Sequence, residues 1–387
     1  MIEFKLPSLG ADMEEGKLLE WKAKPGDKVK RGDVVAVVDT SKAAVEVEIW
    51  EDGTMREQLV KPGETVPVGT TLALLLAPGE DAATAVRPKL APLPPVAPAA
   101  AAAQAAPAAA PSARRRISPA ARKHAEDLGV DLEKVQGSGP QAAVTVEDVE
   151  RMKVPAKEQK EEIEKARALN MRSAIAAAMG RSKRDIPHYY LSETVPMLRA
   201  SGWLAQENAK RPITGRLLMA VLQLKAVALA LGKFPDLNGF FRDGAHLPSA
   251  AAHVGVAISL RQGGLVAPAI HDVQAKSLDE LMRSLSDLVK RARAGSLRSS
   301  EMSDPTVTVT NLGEGGVESV FAIIYPPQVA IVGFGTIAER PWVQAGELRV
   351  APTVVASLAA DHRASDGHRG ALFLAEIARL LQEPEKL

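Results

Sequence analysis

Three short stretches of this 387-residue chain carry the side chains with most chemical potential. The first is VVDTSKAAVEVEIW, Val37 to Trp50. An apolar run is followed by Val45, Val47 and Ile49 alternating with Glu46 and Glu48, which reads as two strands. Asp39-Thr40-Ser41-Lys42-Ala43 lies between them, so Lys42 is expected at the tip of a β-turn. By default such a lysine is a solvated turn residue. An isolated ε-amine on a rigid tip is also what a modifying enzyme could find and acylate. The second stretch is ASLAADHRASDGHRGALFL, in which a strand ending at Leu358 leads into Asp361-His362-Arg363-Ala364-Ser365-Asp366-Gly367. Imidazole is the side chain that titrates near neutrality, yet a histidine between Asp and Arg is by default a hydrogen-bonded structural residue. The third is TVTVTNLGEGGV, a strand whose threonines 306, 308 and 310 share one face before a Gly-rich turn. Without context, Thr310 is an ordinary exposed strand threonine.

Composition narrows what these groups can do. There are no cysteines, which rules out disulfides, Cys-ligated zinc and a protein thiolate; thiol chemistry would have to come from a cofactor. The balance of 48 Lys+Arg against 47 Asp+Glu leaves no electrostatic footprint for nucleic acid or an anionic membrane. No apolar run suggests a membrane span, and MIEFKLPSLG lacks a basic-then-apolar signal pattern, so a cytoplasmic protein is expected. None of the seven histidines has metal-ligand spacing with a second ligand.

The elements that must position these groups fall into separate modules. KPGDKVKRGDVVAVV (Lys24–Val38) matches KPGETVPVGTTLALL (Lys61–Leu75) at an offset of 37 residues. Both copies read K-P-G-acidic-x-V, then Gly, then an apolar strand. Pro-Gly marks a tight turn. Two similar halves of about four strands each predict a pseudo-symmetric pair of sheets, with Lys42 on a hairpin. The next segment, 78–113, is almost all Ala and Pro and cannot bury a core. At ~3.1 Å per residue it reaches on the order of 110 Å, which suits a spacer that lets something swing. Residues 114–152 then offer Ser118 as a helix cap, Pro119 at the first helical position and Gly129 as a stop. Thr145 with Asp148 predicts a second capped start. A unit this small suits partner binding better than catalysis. Segment 153–165 is taken as a second linker. From 166 to 387 helical periodicity (Leu217–Leu231, Leu278–Ala294) mixes with strand patterns (His253–Leu260, Leu265–Ile270, Thr306–Thr310, Val329–Gly333, Val354–Leu358), which predicts one α/β domain.

Each informative stretch also carries a family resemblance. GDVVAVVDTSKAAVEVE resembles the lipoyl-domain motif, whose turn lysine carries lipoate; Ser41 and Ala43 depart from the Met-Lys-Met of biotin carriers. DHRASDG resembles the D-H-R-x-x-D-G signature of dihydrolipoamide acyltransferases, the core components of 2-oxo acid dehydrogenase complexes. MRSAIAAAMGRSKRDIPHYY, HVGVAISLRQGGLVAPAI and TVTNLGEGGVESVFAIIYPPQVAIVGFG are similar to further segments of that family. The middle module resembles the peripheral-subunit-binding domain. The resemblance implies a multidomain chain. Its parts are an all-β flattened lipoyl barrel over 1–77, a helical subunit-binding domain over 114–152, and a chloramphenicol-acetyltransferase-like α/β catalytic domain over 166–387.

It also implies roles. His362 is the base that takes a thiol proton, Thr310 the oxyanion donor, and Asp366 an orienting residue or a purely structural one. Asp361 and Arg363 hold the loop. Lipoate is expected on Lys42 and coenzyme A as substrate. The implied partners are a 2-oxo acid decarboxylase subunit and dihydrolipoamide dehydrogenase, and the implied core is a homotrimer or larger with each site between subunits. The acyl group is acetyl or branched-chain in preference to succinyl. A non-catalytic lipoyl-bearing scaffold that recruits a dehydrogenase is the alternative. Three departures stand out: Gln141-Ala142-Ala143 replace Gly-Gly-Arg, Ala364 and Ser365 replace two β-branched residues, and His368 is unusual.

Overall fold

The computed structural model describes residues 1–7, 13, 15–40, 44–77, 117–128, 135, 143–146, 148, 156–260, 264–344 and 346–387. The chain divides into two compact units, residues 1–90 with 170–387, and 91–169.

Within the first unit the N-terminal module is all β. Its strands are β1 (Ile2–Lys5), β2 (Glu15–Trp21), β3 (Lys28–Val29), β4 (Val34–Asp39), β5 (Ala44–Glu48), β6 (Gly53–Gln58), β7 (Thr65–Pro67) and β8 (Thr71–Leu76). One sheet runs β1-β8-β6-β3 and the other β5-β4-β2-β7. Advancing each strand of the first sheet by four positions, cyclically, yields the second. The sequence repeat is therefore a pseudo-twofold in which each sheet mixes strands of both halves. The repeated K-P-G-acidic turns share their chemistry. Lys24 N–H donates to Asp27 Oδ2 at 2.7 Å, and Lys61 N–H to Glu64 Oε2 at 2.9 Å. Gly26 and Gly63 take φ of 100° and 96°, a region open to glycine and costly for other residues. Val35, Val47, Met55 and Leu72 are fully buried in the core of this module. The β4–β5 hairpin closes at Asp39 opposite Ala44, and Lys42 lies outside the described residues.

In the second unit, α1 (Pro119–Leu128) starts as expected, with Ser118 Oγ accepting from Ala121 N–H at 3.0 Å. The Thr145–Asp148 box also forms: Thr145 N–H donates to Asp148 Oδ2 at 3.0 Å and Asp148 N–H to Thr145 Oγ1 at 3.4 Å. Ala121, Ala125, Val135 and Val144 make a small core. Gly129, Gln141 and Ala142 lie outside the described residues. The second linker is helical for most of its length, because α2 runs from Ala156 to Asp185. Its first half, AKEQKEEIEKARAL, holds strong helix formers and Glu–Lys neighbours with no Pro or Gly.

The rest of the first unit is an α/β layer structure. Its strands are β9 (His188–Pro196), β10 (Gly239–Arg242), β11 (Ala245–Pro248), β12 (Val254–Val256), β13 (Ile258–Ser259), β14 (Leu265–Val266), β15 (Ala269–Ile270), β16 (Leu297–Arg298), β17 (Val307–Asn311), β18 (Ala330–Phe334), β19 (Ala338–Gln344) and β20 (Glu347–Asp361). Its helices include α3 (Leu198–Ala209), α4 (Met219–Leu231), α5 (Leu278–Ala294), α6 (Ser299–Ser303) and α7 (Gly367–Leu381). The main sheet runs β15-β12-β17-β18-β20-β19, with β9 also on β20. Strands β12, β17 and β18 are mutually parallel, and β20 returns antiparallel. α5 matches its predicted span and is closed by a Ser277–Glu280 capping box and Gly295 at φ 73°.

β20 is much longer than the Val354–Leu358 pattern. Its second half, buried between β18 and β9, carries the apolar signal. Its first half forms a hairpin with β19 and is exposed, so it shows no such signal. The stretch Ile213–Leu231 is long and apolar enough in composition for a membrane span. Its last thirteen residues form a core helix, α4, whose residues from Val221 to Leu231 are nearly all buried. Even Lys225 is buried there. Its ammonium donates to the carbonyls of Gln274 (2.8 Å) and Lys276 (2.6 Å), and burial lowers its pKa.

Candidate active site

The histidine loop is built where β20 ends and α7 begins. Asp361, the last strand residue, is fully buried. Its carboxylate accepts from Arg363 Nε at 2.9 and 3.1 Å, from Nη2 at 2.7 Å and from Arg363 N–H at 2.9 Å. A buried carboxylate needs such partners, and the bidentate fork fixes the turn. The pair holds the Arg363 pKa above its usual value. The guanidinium also lies 4.0 Å over the Phe241 ring. These bonds give Asp361 and Arg363 a structural role in the loop.

His362 sits between them, exposed, with its backbone N–H donated to Pro187 O at 3.0 Å. Its ring meets Tyr189 edge-on at 5.3 Å and 72°. The Tyr189 hydroxyl pairs with Ser365 Oγ at 2.8 Å, and burial raises the phenol pKa. The unusual Ser365 therefore has a polar partner on β9. Asp366 is the N-cap of α7, accepting from Arg369 N–H at 2.9 Å. Arg369 in turn reaches Asp236 with Nη2–Oδ1 at 2.6 Å and stacks over Phe234. Gly370 lets α7 lie close on the sheet: a Cβ there would fall 2.9 Å from both Leu191 Cδ1 and Tyr189 Cε2. One residue before Tyr189, His188 accepts Ile324 N–H on Nε2 at 3.2 Å while Nδ1 faces Ile186 O at 2.9 Å. That pattern assigns a neutral tautomer with the proton on Nδ1, and burial lowers the His188 pKa accordingly. A cleft of about 320 Å³ opens beside the loop, lined by Arg181, Phe241, Asp243, Gln328 and Arg363 among others.

The threonine row lies elsewhere on the sheet. Thr306 Oγ1 donates to Asn238 Oδ1 at 2.6 Å and Thr308 Oγ1 to Gln328 Oε1 at 2.7 Å, both buried. Thr310 is half-buried, and its hydroxyl makes no hydrogen bond among the described residues. Asn311 anchors the turn that follows, bonding Gln223 Oε1 at 2.6 Å and receiving Gly313 N–H at 2.8 Å.

The structure brings His362 and Asp366 into one loop but keeps Thr310 apart from them. Thr310 pairs with Gly333, and Gly333 with Ser357. Thr310 is thus two strands across from β20 and level with a residue five positions before His362. At ~3.3 Å per residue and ~4.8 Å per strand, the separation is on the order of 20 Å. Within one chain these groups cannot act on the same atom. Tyr189, Asp236 and Arg369 were not legible as site residues, since nothing local in HYYL, FPDL or GHRG ties them to the histidine.

Comparison with known proteins identifies the modules. The family profile described as 2-oxoacid dehydrogenases acyltransferase (catalytic domain) matches residues 160–387. Biotin-requiring enzyme matches 2–75, and e3 binding domain matches 115–150. The dihydrolipoyllysine-residue acetyltransferase component of the pyruvate dehydrogenase complex of Rhizobium meliloti (strain 1021) is 34% identical, over 99% of this chain and 98% of that one. The corresponding component of the acetoin cleaving system of Bacillus subtilis (strain 168) is 33% identical, over 100% and 99%. A probable dihydrolipoamide acetyltransferase from Listeria monocytogenes 4b F2365 superposes with a TM-score of 0.53 at 30% identity, covering 55% of this chain and 91% of that one. The Azotobacter vinelandii dihydrolipoamide acetyltransferase, studied for the roles of a serine, a histidine and an asparagine in its catalytic mechanism, superposes at 0.53 and 28% identity, covering 55% and 88%.

Proposed function

Because the chain belongs to the 2-oxoacid dehydrogenase acyltransferases, we propose that it is the acyltransferase core of a 2-oxo acid dehydrogenase complex, transferring an acetyl group to coenzyme A. The carrying observation is the exposed His362 on a loop clamped by the buried Asp361–Arg363 fork. The serine, histidine and asparagine of the Azotobacter enzyme lie 52 and 4 residues apart, and so do Thr310, His362 and Asp366. The acetyl assignment follows the relatives, both acetyltransferase components.

In this reading His362 accepts the proton of the coenzyme A thiol as the sulfur attacks the acyl carbonyl. Thr310 of a neighbouring subunit donates its unbonded hydroxyl to the charge developing on the carbonyl oxygen, a contact worth roughly 3–4 kcal/mol in acyl transfer. As the carbonyl re-forms, His362 returns the proton to the departing thiolate. Asp366 acts by starting α7 and so fixing where the loop ends. Lys42 would hold the lipoyl group, which would supply the thiol that carries the acyl group as a thioester. The β4–β5 ladder is paired as far as Asp39 and Ala44, which fits such a load beyond its end. The 78–113 tether brings the arm to an effective concentration in the ~mM range, so tight binding is unnecessary. The helical module over 114–152 would hold the dihydrolipoamide dehydrogenase and decarboxylase partners, and a homotrimer would create the between-chain sites.

The test is transfer from acetyl-, isobutyryl- and succinyl-coenzyme A to free dihydrolipoamide, wild type beside His362→Ala. An acetyl preference that disappears in the variant supports the reading. Folded, lipoylated protein with no transfer from any donor would overturn it in favour of a recruiting scaffold.

A further inference from the structure

β5 has a polar flank that the alternation of its sequence assigns to water. Val45 and Val47 fill the barrel core, while Glu46 and Glu48 point away from it. Among the strands of its own module β5 is also the edge, with a row of backbone groups that β4 does not use. Yet Glu48 is only 7% exposed. The cover comes from the catalytic domain. There β16 pairs with β5 in parallel, Leu297 opposite Val45 and Arg298 opposite Glu46.

The contact is polar and specific at its end. Ser300 Oγ donates to Glu48 Oε2 at 2.5 Å, and Ser300 N–H approaches the same oxygen at 3.4 Å. Glu48 N–H donates to Ser299 Oγ at 3.1 Å, and Arg298 Nη1 lies 3.8 Å from Glu48 Oε1. The receiving strip is rigid by itself. Glu301 is buried, is forked by Arg291 and accepts Arg298 N–H at 2.9 Å, while Leu297 is anchored in the catalytic core. Desolvating a carboxylate is costly unless it is fully partnered, and here all of its partners come from the other domain. The strip also stands at a functional end of the sheet. It leads into β17, where Thr308 is level with Ile331 and thereby with Ala359, so β17 begins at the end where β20 delivers His362.

We propose that Leu297–Ser300 is a docking strip for the lipoyl-type domain of the same chain, which adds β5 as a parallel strand and seats Glu48 between Ser299, Ser300 and Arg298. This is strand addition with one charged side chain setting the register. The domain then alternates between a docked resting position on the catalytic domain and a released one from which it can visit partners. The contact itself does not depend on the transfer chemistry; only its meaning for turnover rests on that reading.

Because the chain has no cysteines, an introduced pair is unambiguous. Glu46→Cys with Arg298→Cys places two thiols on paired residues, at a Cα separation near 4.8 Å that a disulfide can span. In the full-length protein under mild oxidation, this pair should link within one chain at least tenfold faster than a control pair, Glu46→Cys with Arg349→Cys. Adding Glu48→Lys should slow the link about tenfold, and Ser300→Ala, which leaves the lipoyl-type domain untouched, should slow it by a smaller factor. A rate equal to the control, indifference to both Glu48→Lys and Ser300→Ala, or links found only between chains would overturn the proposal. Linking is scored on non-reducing gels, so loss of acyl transfer alone would count against the proposed reaction and not against the docking strip.

Discussion

The distance between His362 and Thr310 makes a quantitative demand on assembly. With the two groups on the order of 20 Å apart along one sheet, the proposed reaction would have to take the histidine from one chain and the threonine from another. Removing a general base costs ~10²–10⁴-fold and removing an oxyanion donor ~10²–10³-fold. His362→Ala and Thr310→Ala should therefore each retain no more than about 1% of activity. In a ring co-assembled from equal amounts of the two, a site is intact when the histidine side comes from the Thr310→Ala chain and the threonine side from the His362→Ala chain. That happens at about one site in four whatever the ring size. Transfer from acetyl-coenzyme A to free dihydrolipoamide should then recover to about 25% of wild type. A second mixture sharpens the test. Wild type with an equal amount of the double variant should again give about 25% if sites are shared, and about 50% if each chain holds its own. Differently tagged chains prove the mixing. Recovery below about 2% in mixed assemblies, with about 50% in the second mixture, would refute the between-chain site.

Other residues give narrower expectations. Asp361→Asn keeps the shape but breaks the fork to the partly exposed Arg363. It should cost about 2–3 kcal/mol, less than a fully buried pair, and lower the melting temperature of the catalytic domain by roughly 5–10 °C; an unchanged melt would remove Asp361 as the clamp. Gly370→Ala gains helix propensity of about 1 kcal/mol but presses a methyl onto Tyr189 and Leu191. Overpacking of about 1–3 kcal/mol should win, with reduced stability and a slower transfer step as Tyr189 shifts against His362. Equal stability with full activity would show that the packing is looser than drawn. His271 donates to Asp304 at 3.0 Å, and this bond raises its pKa above the ordinary histidine value despite burial. Its stabilisation is therefore complete below about pH 6.5 and drains as pH climbs through the raised folded value. The melting-temperature gap between wild type and His271→Gln should be larger at pH 6 than at pH 8.5; a constant gap would contradict the pairing.

Much of the architecture was legible because it is encoded over short distances. The Lys-Pro-Gly-acid turns, the Ser118-Pro119 start and the Thr145–Asp148 box each bond within a few residues, so the pattern and the structure share one cause. The same holds for α5, whose apolar stripe and capping residues are consecutive on one helix. The histidine loop could be found for this reason, since Asp361, His362, Arg363 and Asp366 are sequence neighbours. Where polarity is satisfied from afar, reading the sequence failed. Glu48 looks like a solvent-facing strand residue until Ser299 and Ser300, some 250 positions on, come to meet it. Ser365 looks like a loosened packing position until Tyr189 supplies its hydrogen bond. The first half of β20 carries no strand pattern because hairpin pairing with β19, rather than an apolar face, makes it a strand.

The amino-acid sequence by itself determined the three modules and their order, because each carries its motifs in consecutive residues. Tertiary structure alone decided how their side chains stand to one another. Sheet register carries Thr310 two strands and five residues away from His362, and it lays β5 against β16. Such distances come from hydrogen-bond ladders between segments remote in the chain, which no local pattern can specify.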